Sequence, residues 1–377
     1  MKKVLILSFI FCMVITSVAF GASARWQALG NEQRFIIDTS NYTPYPARIY
    51  QFSNAVWLIP KSAFGDNDIN AGWLTKLNPN MMAAFHFNLP SAGTTKLSSA
   101  LASYTGKNDR LAGLTPRTFP DVFWAMKSGT TTVAARVALA MDKSDVTTPD
   151  SITTNAMATD VSVGATMAMP FGDVDLGIGA GIQNFKDDAG GKITESTGGY
   201  AITIDARINA PMDKDKKCNL VPILNVKLGA DPTQKDVTET TYMGGDIGIG
   251  IRTMYEKKMV VGGLVMAYNS VTDKPVGKAE VKTTTFAPKF IAGCEIPLTK
   301  WIVVRGGANA ELSSKSNGSS SMDVKYYYNS GIRMMYGGFI VDLILSRDIF
   351  HRGPYLLSGS GKDGSNLATN ICITYAY

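Results

Sequence analysis

The sequence has few of the residues that enzymes and metal proteins use in their sites. Only four cysteines and two histidines occur among its 377 residues. The cysteines, at positions 12, 218, 294 and 372, are too widely spaced for a disulfide framework or a metal site. His86 and His351 have no neighbouring motif that would make either a catalytic base, and no glycine-rich stretch precedes a helical pattern. We therefore expect no enzyme, no cofactor and no bound metal.

Long hydrophobic runs are also scarce. Residues 4–20 form one, which follows two lysines and precedes the small residues Ala22, Ser23 and Ala24. A charged start, an apolar middle and a small-x-small site predict a secretory signal peptide over residues 1–24. No later run approaches the roughly 20 apolar residues that a membrane-spanning helix needs. The sequence therefore predicts an exported protein with no helical means of crossing a membrane.

Charged residues make up only 18% of the chain and form no basic stripe, so we expect no nucleic-acid partner. The sequence is rich instead in segments that alternate between apolar and polar residues. The segment "VAARVALAM" places Val133, Val137 and Met141 on one face and Arg136 on the other. The segments "VSVGATMAM", "YAITIDARI" and "DIGIGIR" repeat the pattern. The pattern predicts an all-β protein whose strands have one apolar and one polar face.

The connections between these segments alternate between short and long. Short ones, such as residues 128–130 and 337–338, contain turn residues. Long connections are predicted at residues 90–117, 143–155, 187–198, 231–239, 270–281, 313–322 and 346–366. Tight turns at one end and long loops at the other are typical of barrels in a bacterial outer membrane. We therefore predict a closed antiparallel transmembrane β-barrel over residues 53–377, surrounded by outer-membrane lipid.

The number of strands depends on the first hairpin. Counting back from the last strand gives fourteen strands that begin at Met81. Residues 54–60 and 69–77 make one more hairpin, and its inclusion gives sixteen. Both numbers are even, as a chain that begins and ends on the periplasmic side requires. We predict sixteen strands, with fourteen as the alternative.

The chain ends in mid-strand, at "LATNICITYAY". Ile373, Tyr375 and Tyr377 share one face of this segment. In a closed barrel the last strand pairs with the first, which leaves no unsatisfied edge. The alternating, aromatic-ended terminus resembles the last strand of bacterial outer-membrane proteins. That resemblance implies that these three residues form an assembly signal, with the barrel-assembly machinery as a partner.

The polar faces place charged residues in the lumen. The predicted pore-lining residues are Arg136, Asp160, Asp205, Arg207, Lys227, Asp246, Arg252, Lys289, Arg305, Glu311, Lys325, Arg333 and Asp342. Their confinement to one face fits the high cost of a charge on a lipid face. Two interpretations remain open, because these charges either line a polar channel or pair across strands and hold the barrel in shape.

Residues 25–52 are polar, aromatic and proline-rich, and have no spanning pattern. Glycines at positions 177, 179, 181, 248 and 250 of the lumenal face suggest that another segment lies close against the wall. Within the first segment, "DTSNYTPYPARI" resembles the N-terminal hatch of the FadL/TodX family of hydrophobic-compound transporters. The resemblance implies a lumenal plug that includes Asp38, Ser40, Pro46 and Ala47, beside a small apolar pocket in a fourteen-stranded barrel. The alternative is an ordinary proline-rich loop.

These observations predict a porin-like outer-membrane channel for the passive diffusion of small solutes. Two alternatives remain: a FadL-like transporter of hydrophobic compounds, and a structural or adhesive surface barrel without transport. The sequence leaves the solute and the oligomeric state open.

Overall fold

The computed structural model describes residues 24–30, 32–37, 39–52, 54–59, 70–88, 92–102, 104, 109–146, 152–189, 192–234, 238–316, 320–345 and 368–376. The predicted signal peptide, apart from Ala24, therefore lies outside the described residues.

Eighteen strands form one antiparallel sheet that closes on itself. They are β1 (Ala55–Ile59), β2 (Asn70–Asn78), β3 (Met81–Phe87), β4 (Arg117–Ser128), β5 (Thr131–Val146), β6 (Ile152–Met169), β7 (Gly172–Ala189), β8 (Lys192–Thr197), β9 (Gly199–Pro211), β10 (Cys218–Ala230), β11 (Thr233–Gln234), β12 (Glu239–Tyr255), β13 (Lys258–Lys274), β14 (Val281–Pro297), β15 (Ile302–Ser316), β16 (Ser320–Tyr336), β17 (Phe339–Leu345) and β18 (Ala368–Ala376).

Sixteen of these strands make up the barrel wall. The short strands β8 and β11 pair with each other and extend the sheet at one end. The wall closes where β18 pairs with β1, with Tyr375 opposite Val56 and Ile373 opposite Leu58. Because β1 and β2 form the first hairpin, the prediction of sixteen strands is confirmed and the alternative of fourteen is wrong.

The wall has an apolar outer face, as alternation predicts. Val133, Val137 and Met141 are among many large apolar side chains exposed on the outside, whereas Arg136 between them is buried. Aromatic residues join this belt on β2 and β3, where Trp73 stacks on Phe85 with ring centres 5.8 Å apart. The residues that face away from this belt point into the barrel.

The two ends of the barrel differ, and so do its two sides. At one end, the short-turn end, tight turns such as residues 129–130 and 256–257 join the strands. At the other end, some strands extend much further than others. Strands β5–β7 and β12–β16 are 15 to 18 residues long, and we name this side of the barrel the long wall. Three of the predicted long loops are shorter than expected here, because strands extend from both sides into residues 143–155, 270–281 and 313–322.

Strands β17, β18, β1, β2 and β3, which we name the seam, are only 5 to 9 residues long. The seam is the part of the wall where the first and last strands meet.

The helices in the described residues are few and short. The helix α1 (Ala24–Ala28) and three 3₁₀ turns (Gln33–Phe35, Thr39–Tyr42 and Pro46–Gln51) lie in the N-terminal segment, residues 25–52. The helices α2 (Ala92–Ala102) and α3 (Asp109–Ala112) connect β3 to β4. None of the helices in the described ranges is long and apolar enough to cross a membrane.

Candidate functional site

The N-terminal segment lies inside the barrel. Its helix α1 contacts β15–β18, the turn at Gln33–Phe35 contacts β10, β12 and β13, and the turn at Pro46–Gln51 contacts β3–β7. All of these contacts are made to the face opposite the apolar belt. The segment therefore crosses the lumen from one side of the wall to the other, nearer the short-turn end.

A buried ion cluster fixes the second half of the segment to β7. The Arg48 Nε donates to the Asp175 carboxylate at 2.6 Å, and both side chains are fully buried. Arg207 donates to the other Asp175 oxygen at 2.9 Å and also to the Ile36 carbonyl and the Asn41 side chain. One carboxylate thus serves a cation of the segment and a cation of the wall. Breaking a buried pair of this kind leaves an uncompensated charge, so the contact strongly favours one position of the segment.

A second cluster holds the start of the segment against β14, β15 and β17. Arg25 donates two hydrogen bonds to the Glu295 carboxylate, at 2.8 and 2.9 Å. Arg305 bonds to the same carboxylate at 2.6 Å and also to Asp342, which Arg333 contacts in turn. The chain of alternating charges continues along the wall, so Arg25 completes a network that the strands already provide.

A third cluster involves the middle of the segment. Arg34 bonds to Glu32 within the segment and to Asp246 on β12, and Lys289 lies 4.0 Å from Glu32. Burial raises the pKa of Glu32, but the hydrogen bond and charge of Arg34 and the charge of Lys289 outweigh burial, so that the pKa lies below its ordinary value. Glu32 is therefore a carboxylate at neutral pH.

Glycines on the long wall allow the segment to approach the strands. A Cβ atom on Gly177 would lie 1.9 Å from the Pro44 carbonyl oxygen, and one on Gly250 would lie 2.6 Å from the Phe35 ring. The expectation of a close neighbour is therefore right at these two positions. At Gly179, Gly181 and Gly248 the nearest atoms belong to other strand residues instead.

Two apolar patches inside the barrel complete the contact, and the sequence interpretation missed both. One packs Leu29, Phe35 and Ile36 against Val261 and other residues of β10–β14. The other packs Tyr42, Ala47 and Ile49 against residues of the seam and of β4 and β5: Trp57, Ile59, Leu74, Met82, Ala84, Phe123, Ala125 and Ala134. The available signal was β13, "KMVVGGLVMAY", which is apolar on both faces and so requires an apolar neighbour inside.

The predicted pore-lining residues fall into three groups in the structure. Arg207, Arg252, Asp246 and Lys289 contact the N-terminal segment directly, and Arg305, Arg333 and Asp342 connect to it through Glu295. Arg136, Asp160, Asp205, Lys227 and again Asp246 border a cavity in the lumen. Glu311 and Lys325 lie opposite each other on β15 and β16, where Lys325 also pairs with Asp323 at 3.6 Å.

The residues of the predicted plug and assembly signal are only partly described. Pro46 and Ala47 are buried in a 3₁₀ turn inside the barrel, and the backbone of Ser40 lies in the preceding turn. Tyr375 faces outwards and packs on Phe339, with ring centres 4.7 Å apart. Ile373 packs beside Leu343 on the same outer face. Asp38 and Tyr377 lie outside the described residues, and the assembly signal stays a prediction.

A cavity of about 350 Å³ remains between the segment and the wall of β5–β12. The segment contributes Gln33, Arg34, Thr43 and Pro44 to its lining. Six charged side chains border it, three cationic and three anionic: Arg34, Arg136, Lys227, Asp160, Asp205 and Asp246. The remaining lining is mostly glycine, alanine, serine and threonine. The cavity is therefore bordered by equal numbers of positive and negative charges and is large enough for a small molecule.

The helix α2 narrows the lumen above this cavity. Leu97 and Leu101 are fully buried and pack with Phe185, an inward-facing residue of β7. The Lys96 ammonium lies 3.4 Å from the centre of the Tyr242 ring and 3.8 Å from Asp231. Burial raises the pKa of Asp231, against the opposing charge of Lys96. The lumen is thus occupied near both ends and open in the middle.

One other polar group, His86, has a structural explanation. His86 is buried and stacks on Tyr42, and its Nδ1 lies 3.4 Å from Asp121, which Arg136 also binds. The described part of the chain contains no cluster of His, Cys, Asp and Glu that could hold a metal ion.

Comparison with known proteins gives a likeness in architecture alone. No protein-family model and no curated protein matches the chain. Similar solved structures include BauA, the ferric preacinetobactin receptor from Acinetobacter baumannii (TM-score 0.46, 9% identity, 78% of this chain and 53% of that chain). They also include the FrpB iron transporter from Neisseria meningitidis (F5-1 variant; TM-score 0.43, 8% identity, 79% of this chain and 63% of that chain). A third is CdiB from Acinetobacter baumannii (TM-score 0.42, 8% identity, 86% of this chain and 60% of that chain).

This chain thus spans less than two thirds of the length of each of these proteins. At such scores and identities the likeness carries no argument about ligands or activity. The predicted architecture, a closed antiparallel β-barrel with sixteen strands in its wall, is confirmed by the sheet itself. The resemblance to the FadL/TodX family is not shown by these comparisons.

Proposed function

We propose that this protein is an outer-membrane channel through which small polar solutes diffuse passively, and that its N-terminal segment narrows the passage. The observation that carries the proposal is the contrast between the two faces of the wall. The outer face is a continuous apolar belt, and the inner face surrounds a charged cavity of about 350 Å³ at mid-height. A lipid-facing belt suits a membrane, and a polar cavity at that depth suits a water-soluble solute.

The surroundings of the segment favour polar over apolar solutes. Ala47 and Ile49 are closely packed against Trp57 and Phe123, so the barrel's own side chains fill the apolar space beside Pro46. The remaining cavity presents charges instead. We therefore propose no transport of hydrophobic compounds and no catalytic activity, and place the protein in the outer membrane after removal of residues 1–24.

Conductance in planar lipid bilayers tests the proposal. The full-length mature protein is expected to give small discrete current steps with weak ion selectivity, because the cavity carries three charges of each sign. A variant that lacks residues 25–50 is expected to give much larger steps, since the segment crosses the lumen. Resistance of the barrel to SDS before heating serves as the folding control for both proteins. A folded barrel that passes no current at any voltage, with or without the segment, would instead favour a structural or adhesive surface protein.

A further inference from the structure

Asp205 and Lys227 are two opposite charges that border the same cavity without forming an ion pair. Asp205 lies opposite Asn225 in the pairing of β9 with β10, and Lys227 lies opposite Thr203. Asp205 and Lys227 are therefore diagonal neighbours, with backbones about 7–8 Å apart. Within the described part of the chain, no oppositely charged group lies within 4.0 Å of either one. The other lining cations, Arg34 and Arg136, have carboxylate partners in Asp246 and Asp121.

A buried acceptor lies beside the Asp205 carboxylate. Asn225 is only 3% exposed, and its amide nitrogen donates to Asp205 at 2.9 Å. Asn225 also lines the cavity, and its own carbonyl oxygen is buried without a hydrogen-bond partner among the described residues. Asn225 therefore fixes the Asp205 carboxylate at the cavity wall but does not neutralise its charge. The Asp205 carboxylate is thus a place for a cationic donor that the protein itself does not supply.

The wall beside the two charges is built from small residues. Gly179 and Gly181 on β7 and Ala201 and Thr203 on β9 line the cavity there. These small side chains leave room for a molecule to lie against the strands.

We propose that this cavity binds a small zwitterion of the α-amino acid class. Its ammonium group donates to the Asp205 carboxylate, and its own carboxylate accepts from the Lys227 ammonium. Charge-assisted hydrogen bonds at both ends select a molecule that carries both charges over one that carries either alone. The inference deepens the proposed function and rests on it for the route by which the solute reaches the cavity.

Calorimetric titration of the full-length protein in detergent, at pH 7, tests the site. The probes are L-alanine, which carries both charges, and propionate and ethylamine, which carry one each. L-alanine is expected to bind saturably, with one site per chain, and at least tenfold more tightly than either single-charge probe. Equal binding of the three probes, or no saturable binding of L-alanine to the folded barrel, would overturn the inference.

Two substitutions locate the binding. Asp205→Asn and Lys227→Gln are each expected to weaken L-alanine binding about tenfold or more. Lys325→Gln is the matched control, because Lys325 also faces the lumen but does not border the cavity, and it is expected to bind L-alanine as wild type does. SDS resistance confirms that each variant is folded, and wild-type affinity in folded Asp205→Asn and Lys227→Gln would place the site elsewhere.

Conductance separates this inference from the proposed function. A barrel that conducts ions but does not bind L-alanine leaves the channel standing and removes the zwitterion site. A barrel that binds L-alanine with the expected variant pattern but never conducts keeps the site and removes the channel.

Discussion

The long wall and the seam hold the N-terminal segment in different ways. On the long wall, fixed charges and glycines receive the segment, as Asp175 receives Arg48 and Gly177 lies against Pro44. Along the seam, large apolar side chains such as Trp57 pack against Tyr42 and Ile49. Strands of 15 to 18 residues provide long backbone ladders, whereas a strand of five residues, such as β1, provides a short one.

The difference teaches how a barrel with unequal strands can be stable. A long antiparallel ladder satisfies the hydrogen bonds of its own backbone groups. Its strands are therefore stable even where the inner face carries small or charged residues in place of large apolar ones. A short ladder gains less from pairing, so buried side chains must supply the remainder. We infer that the seam depends on the N-terminal segment for its stability more than the long wall does.

The largest expected effect comes from breaking the charged contact on the long wall. Asp175→Ala leaves Arg48 and Arg207 buried without their shared carboxylate, and is expected to cost about 3–5 kcal/mol in the free energy of unfolding. If the seam depends on the segment, amide hydrogen exchange should rise more in β1–β3 than in β13–β15 of this variant. Urea unfolding in lipid vesicles measures the free energy of unfolding, and hydrogen exchange followed by mass spectrometry measures the exchange of each group of strands.

The control is Asp323→Asn, which removes an exposed partner of Lys325 and is expected to cost about 0–1 kcal/mol. Equal exchange in β1–β3 and β13–β15 after Asp175→Ala would contradict the dependence of the seam on the segment.

A smaller effect is expected from filling the glycine contact. Gly177→Ala places a methyl group against the backbone carbonyl oxygen of Pro44, which cannot rotate away as a side chain could. The substitution is expected to destabilise the protein by about 1–3 kcal/mol. Gly306→Ala is the matched control, since an added Cβ there meets nothing within 4 Å. The same unfolding assay compares them, and equal stability of the two variants would mean that Pro44 moves aside at no cost.

Loss of an aromatic contact at the closure of the seam is expected to have a smaller effect still. Tyr375→Ala removes the ring packed on Phe339 and is expected to cost about 0.5–1.5 kcal/mol more in the free energy of unfolding than Tyr336→Ala does. Tyr336→Ala, which removes a ring that is 72% exposed, is the control. Urea unfolding of both variants gives the difference, and a larger loss for Tyr336 would show that the contact with Phe339 is unimportant.

The smallest expected effect is a dependence on pH. Because the pKa of Glu32 is lowered in the folded protein, its contribution to stability is present above the ordinary value of 4.5 and is lost as the pH falls through the folded pKa. We expect the free energy of unfolding in urea, measured in lipid vesicles, to fall as the pH is lowered from about 6 through 4.5 and below. Glu32→Gln should show a weaker change, and an identical pH profile in the variant would assign the effect to another carboxylate.

Much of the wall could be predicted from the sequence, and particular segments show why. Val133, Arg136 and Val137 report the two faces of β5 directly, because successive strand residues point to opposite sides. The hairpin of β1 and β2 could be counted for the same reason. The ends of β13–β16 could not be predicted, because polar residues such as those of "SSKSNGSSS" fit both a loop and a strand that extends beyond the membrane.

The sequence by itself determined the alternating pattern, the parity of the turns and hence a closed barrel with an apolar outside, since these depend on neighbours along the chain. The tertiary structure alone decided which lumenal charges meet. Arg48 and Asp175 are 127 residues apart, and Arg25 and Glu295 are 270 apart. Their contact depends on the path of the N-terminal segment across the lumen, and no local periodicity records that path. The same path leaves Asp205 and Lys227 beside an open cavity while their neighbours are paired.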